Sequence, residues 1–186
     1  MIITILILAL LVWAFLIGYS RGLALQGFYT VGSIVAIMIA SAGYQALGKK
    51  ITLWVPFSSA TPDSKLAFYP AKLLFEIDHV FYAALAFLMI YALTYAIVRV
   101  IGIFLTTLDS MIILDKKGNI IAGFLSVCSV YFGVSLVMMT LSTIPVITVQ
   151  DHLYASGLVR FMIGQTPIFS GWLKDIFISK ITQITV

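Results

Sequence analysis

Charge is what this sequence has least of, and the shortage excludes more than any motif admits. Of 186 residues, 11 are Lys or Arg and 7 are Asp or Glu, against a hydrophobic share of 62%. A soluble globule is about a quarter charged and needs that polarity to cover its exterior. A water-soluble domain is therefore excluded, and the apolar excess must face lipid. Cysteine is nearly missing as well. Cys128 stands alone, so there is no intrachain disulfide and no zinc-like or thioredoxin-like cysteine spacing. The two histidines, His79 and His152, carry no ligand spacing such as a pair at i and i+4. Basic residues come in ones and twos, with Lys49-Lys50 and Lys116-Lys117 the adjacent pairs, too thin for a nucleic-acid face. Phosphate loops, dinucleotide fingerprints and nucleophile elbows are all missing, and the apolar runs hold no base beside a nucleophile. The chain reads as a non-enzyme with no cofactor, no metal and no nucleic-acid partner.

What is present is length of apolar run. Four runs, near 2–18, 23–47, 79–99 and 120–143, predict four membrane-crossing helices. The first has neither a basic lead-in nor a small-x-small cleavage site, so it reads as a retained helix and not a signal peptide. It breaks at Gly18-Tyr19-Ser20-Arg21-Gly22. The third meets Arg99, whose long side chain reaches for the headgroups. After Asp109 and Ile112-Ile113-Leu114, a turn at Asp115-Lys116-Lys117-Gly118-Asn119 leads into the fourth, which Pro145 kinks or ends. Gly18, Arg21, Gly22, Arg99, Lys116, Lys117 and Gly118 thus set topology and loops. The 50–78 connection, with Pro56, Pro62, Pro70 and many aromatics, reads as structured, and Thr61-Pro62 has the form of a helix start.

The expected class is all-α: a polytopic bundle of four helices over 1–150, then a tail at 151–186. In the tail, Phe169, Trp172, Leu173, Ile176 and Phe177 share one helical face. That predicts an amphipathic helix in the interface with Trp172 as its anchor, the alternative being a helix packed back on the bundle.

Two stretches match at an offset of 96 residues. Gly22, Gly27, Phe28, Val31 and Ser33 recur as Gly118, Gly123, Phe124, Val127 and Ser129, while Arg21 and Thr30 face Lys117 and Ser126. Two spans separate the copies, so both enter the membrane in the same direction, as two parallel hairpins about an axis near the membrane normal. Gly27, Gly32, Ala36 and Ala40 on the second helix, and Gly123, Ser126 and Gly133 on the fourth, are expected to line helix contacts, because close backbone approach drives association in lipid. Short-loop charge at Arg21, Lys116 and Lys117 favours placing the first and third connections in the cytoplasm.

The Gly18–Gly22 connection, the long second loop and the entry Asn119-Ile120-Ile121-Ala122-Gly123 resemble the colicin V production protein family, with Ser156-Gly157-Leu158 resembling its post-membrane serine. The chain departs at three places. Thr4 stands near where members carry an acid, Ile120 where a basic residue follows the entry residue, and Gln26 where an acid follows the first-loop arginine. The resemblance implies a bacterial cytoplasmic-membrane protein of about four spans, linked to colicin V production or export. The expected function is an accessory or scaffold in toxin export or envelope maintenance, with a small channel or transporter as the alternative. Expected partners are membrane lipids and either a second copy or an envelope or export protein.

Overall fold

Each apolar run folds as one long helix: α1 Ile2–Arg21, α2 Leu23–Ile51, α3 Ile77–Thr106 and α4 Lys116–Ser142. The computed structural model describes residues 2–57, 66–106, 116–167 and 169–182, and no strand occurs among them. All four helices are long and apolar enough to cross a membrane, and large apolar side chains such as Trp13, Leu93 and Phe104 stay exposed on their outer faces. The 29 residues of α2 reach roughly 43 Å at ~1.5 Å each, enough to cross the ~30 Å hydrocarbon layer and both headgroup zones.

The helices overrun the apolar runs. α1 continues through Gly18, and the break shrinks to Gly22, whose φ of 81° suits a residue without a Cβ. α3 continues past Arg99 to Thr106, and α4 begins at Lys116, before Ile120. Hydropathy marks the hydrocarbon boundary, whereas backbone hydrogen bonding carries a helix on into the headgroups. Thr61-Pro62, Asp109, Ile112-Ile113-Leu114 and Asp115 lie outside the described residues.

The closest contacts are not within the two sequence hairpins. α2 packs along α3 and α1 along α4, while α1–α2 and α3–α4 touch less and α2 meets α4. Exchanging α1 with α3 and α2 with α4 maps this pattern onto itself. Each helix therefore packs most closely with one from the other hairpin. Small residues explain the choice. A Cβ on Gly32 would overlap Val98, one on Gly43 would lie 3.2 Å from Ile90 Cδ1, and Gly48 faces the Tyr82 carbonyl. Ala36 and Ala40 between them are fully buried. On the other pair, Gly18 packs on Ser126 and Ala122, and Gly123 on the Phe15 ring. Gly133 is looser, 3.8 Å from Tyr91. Gly27 is a correction: a Cβ there meets nothing within 4 Å, because the packed face of α2 follows Leu25, Tyr29 and Gly32 and leaves position 27 outside it.

The second connection and the tail both fold onto the same end. Ala67 N–H donates to Gln150 Oε1 at 3.0 Å, and Gln150 Nε2 donates to the carbonyls of Ser142 and Ile144, each at 2.8 Å. Tyr69 Oη lies 2.8 Å from Ser142 Oγ, which itself donates to Met139 O. After Pro145 the chain forms α5 Ile147–Tyr154, α6 Gly157–Gly164 and α7 Phe169–Lys174, the last continuing through a wide π-type turn, Asp175–Ser179, into α8 Lys180–Thr182. The tail is broken and packed inward. Leu173, Ile176, Phe177 and Ile178 are buried in the same core as α2 and α3, and Tyr44 Oη donates to Ile176 O at 3.1 Å. Trp172, expected at headgroup depth, is half-buried with its ring 6.1 Å from Phe87, edge to face. The alternative of a tail packed back on the bundle describes these residues, since the face that would enter lipid instead meets the aromatics of α2 and α3.

Ala36→Leu should lower stability in detergent by ~1–3 kcal/mol through overpacking, whereas Gly27→Ala should be neutral or stabilise by up to ~1 kcal/mol. Thermal unfolding of the two variants checks the contrast, and equal effects would contradict the packed face. Burial pushes the Tyr69 phenol up to about 12, with Ser142 opposing weakly. A raised phenol keeps its stabilising effect below its unfolded value near 10 and loses it as pH climbs toward 12. Tyr69→Phe should cost ~0.5–1.5 kcal/mol near neutral pH and flatten the stability loss over that alkaline window, which denaturation series from pH 8 to 12 would read.

Candidate functional site

At the end away from the tail, where α1 finishes and α2 begins, two arginines converge on one ring. Arg21 Cζ lies 5.2 Å and Arg99 Cζ 4.7 Å from the centroid of Tyr29. Tyr29 is 3% exposed, and Gly102 lets its ring seat, since a Cβ there would overlap the phenol. Three helices build the cluster: α1 contributes Arg21 from its last turn, α2 contributes Tyr29, and α3 contributes Arg99 and Gly102. Neither guanidinium has a carboxylate within 4.0 Å among the described residues. Both cations lie against the Tyr29 ring, each such contact being worth ~0.5–2 kcal/mol depending on burial.

One turn before Tyr29, Gln26 is 1% exposed, and its Oε1 has no hydrogen-bond partner. A buried acceptor left unpaired costs ~1–3 kcal/mol. Asn119, at the start of α4, is also buried, and its Oδ1 lies 3.6 Å from where a Gly22 Cβ would stand. Lys116 and Lys117 are exposed beside it, and Gly118 is buried. The cluster presents guanidinium charge and an amide at the helix ends, a combination suited to holding an acidic group.

Deeper in the bundle, polar groups are satisfied locally. Thr30, Ser129, Ser135 and Thr140 donate to carbonyls of their own helices, the usual way a hydroxyl is accommodated in an apolar span. Ser33 departs from that pattern: its Oγ lies 3.0 Å from Tyr91 Oη, tying α2 to α3. Near the opposite end, Thr4 Oγ1 meets Ser156 Oγ at 2.8 Å, and Ser156 also caps α6 by accepting from Val159 N–H. The start of α1 thus contacts the residue that caps α6, across nearly the whole chain.

The histidines fall in separate surroundings. His152 sits on α5, its Nδ1 2.7 Å from Thr148 O, and His79 lines a cavity with Lys49 and Lys180. No group of three potential metal ligands occurs among the described residues. Sequence reasoning placed Arg21 and Arg99 near one membrane face but missed Tyr29. Its spacing on the stripe with Gly32 and Ala36 was the available signal.

These features define a class: a multi-pass membrane protein whose four spanning helices interlock and are closed at one end by a packed tail. The Colicin V production protein family model matches residues 3–167, and the chain belongs to that family. It is also 27% identical over 176 residues to YshB, an uncharacterized transmembrane protein of Bacillus subtilis (strain 168), covering 93% of this chain and 96% of that one. No solved structure matches.

A double-mutant cycle with Tyr29→Leu and Arg99→Gln should give a coupling of ~0.5–2 kcal/mol. Unfolding of the four proteins in one detergent measures it, and additive losses would mean that the ring does not hold the guanidinium.

Proposed function

We propose that this protein is a non-enzymatic accessory or scaffold of the bacterial cytoplasmic membrane. It serves production or export of a colicin V-like toxin, or maintenance of the envelope. The observation supporting this reading over a pore is the filling of the bundle from the tail side. Phe177 stacks edge to face on Phe87 at 5.3 Å, Phe132 meets Tyr91 at 5.5 Å and Phe169 at 5.3 Å, and the Ser33–Tyr91 bond crosses between helices beneath them. A polar path where α3, α4 and the tail meet would have to displace these rings, and the open groove beside them is lined by apolar side chains such as Ile7, Val134 and Met138. What the fold offers partners is surface: long apolar outer faces, a docked second connection and an ordered tail. A small channel or transporter is the second reading, favoured by the exchange pattern of the helices, since parallel repeats recur in transporters.

In the proposed orientation the first and third connections are cytoplasmic, and the second connection and tail lie outside. Pure protein in liposomes should pass ions and small solutes no faster than empty liposomes, and cross-linking in cells should trap an envelope or export protein. Flux well above the empty control would favour the channel. For orientation, intact cells carrying a Cys128→Ser background should label Leu53→Cys with a membrane-impermeant maleimide and label Lys116→Cys only after permeabilisation. Both positions are exposed, and the reverse pattern would invert the proposal.

A further inference from the structure

A cavity of about 510 Å³ opens where α2 ends and α3 begins. Its walls carry Gln45, Lys49 and Thr52 from the α2 side, His79 and Tyr82 from α3, and Lys180 from the tail. Three features make this a formed site. Gly48 brings the α2 backbone to the Tyr82 carbonyl. Tyr82 Oη donates to Val55 O at 2.7 Å, fixing the turn after α2. Tyr44, accepting from Gln45 Nε2 and donating to Ile176 O, fixes the tail that delivers Lys180.

Every titratable side chain on these walls other than the Tyr82 phenol is basic, and no carboxylate lines them. Asp175 lies 4.0 Å from Lys180 Nζ with both side chains more than half exposed, a pairing too solvated to satisfy the cation. Lysine ammonium, imidazole and amide groups are donors matched to phosphate oxygens, while the Tyr82 and Thr52 hydroxyls are committed to the carbonyls of Val55 and Lys49. The start of α3 brings a positive helix end to His79, but Asp78 in the same turn and the end of α2 both oppose an anion, so affinity must come from the lysines.

Depth identifies the source of the phosphate. Lys49 is in the last turn of α2, and His79 is the third residue of α3, so the cavity opens at the end of two spans. Leu53 and Trp54, directly after Thr52, are each 84% exposed. An apolar residue and a tryptophan bare at a span end belong at the headgroup level, where tryptophan is enriched. We propose that this cavity binds the headgroup of an anionic phospholipid, its phosphate held by Lys49, Lys180 and His79 and its acyl chains running down the apolar outer faces of α2 and α3.

The test uses the full chain in a neutral detergent, with thermal unfolding and native mass spectrometry as readouts. The probes are short-chain phosphatidylglycerol, phosphatidylcholine of equal chain length, and inorganic phosphate. Phosphatidylglycerol should raise Tm saturably and stay bound, and the other two should not. Lys49→Gln and Lys180→Gln should each weaken it roughly fivefold, the effect of one basic residue near an anionic lipid. Lys50→Gln, exposed and outside the cavity, should leave it unchanged. If Lys180→Gln unseats the tail, seen as a lower Tm without lipid, Lys49→Gln against Lys50→Gln decides. Equal binding of phosphatidylcholine, an equal response to inorganic phosphate, or equal weakening by the Lys49 and Lys50 variants would each overturn the proposal.

Discussion

Lipid tails are as apolar as leucine, so two helices in a bilayer gain nothing by hiding hydrophobic surface from it. What remains is the density of contact their backbones can reach, and here that contact is concentrated where α2 lies against α3. Gly32, Ala36, Ala40 and Gly48 remove side-chain bulk along one line of α2, which lets Ala83 and the Tyr82 backbone of α3 come up against Gly48. The rest of the molecule is arranged around this close pair. The tail packs into the space beside Tyr44 and Phe87, the basic cavity opens where α2 ends and α3 begins, and the arginine cluster sits where Gly102 admits Tyr29 at the far end.

Polar groups are treated differently at the two ends. Near the tail they are cross-linked between segments distant in sequence: Tyr69 to Ser142, Gln150 to Ala67, Thr4 to Ser156. Backbone groups that leave a helix in a region poor in water must find partners in the protein, and Gln150 provides them for the Ala67 N–H and for the Ser142 and Ile144 carbonyls, while the side-chain pairs tie Tyr69 and the start of α6 to the bundle. At the other end the strong donors are arginines held on an aromatic face with a buried amide oxygen unpaired nearby.

Span number, helix class and membrane residence could be read from the chain, because a run of apolar residues long enough to cross lipid has few other fates. The stripe Gly32, Ala36, Ala40 was legible for a related reason: spacing by four puts small residues on one face whatever the partner. The partner itself was not legible. A parallel repeat predicts hairpins, and whether each helix packs with its chain neighbour or with one from the other unit depends on complementary shape. Val98 opposite Gly32 and Phe15 opposite Gly123 are coincidences of three-dimensional fit that no periodicity encodes. The tail shows the same limit. Phe169, Leu173, Ile176 and Phe177 form an apolar face in either environment, and only the vacancy beside Phe87 and Tyr44 directs that face to protein instead of lipid. Composition thus fixed the solvent and the elements, while contact at the scale of single side chains decided which elements met.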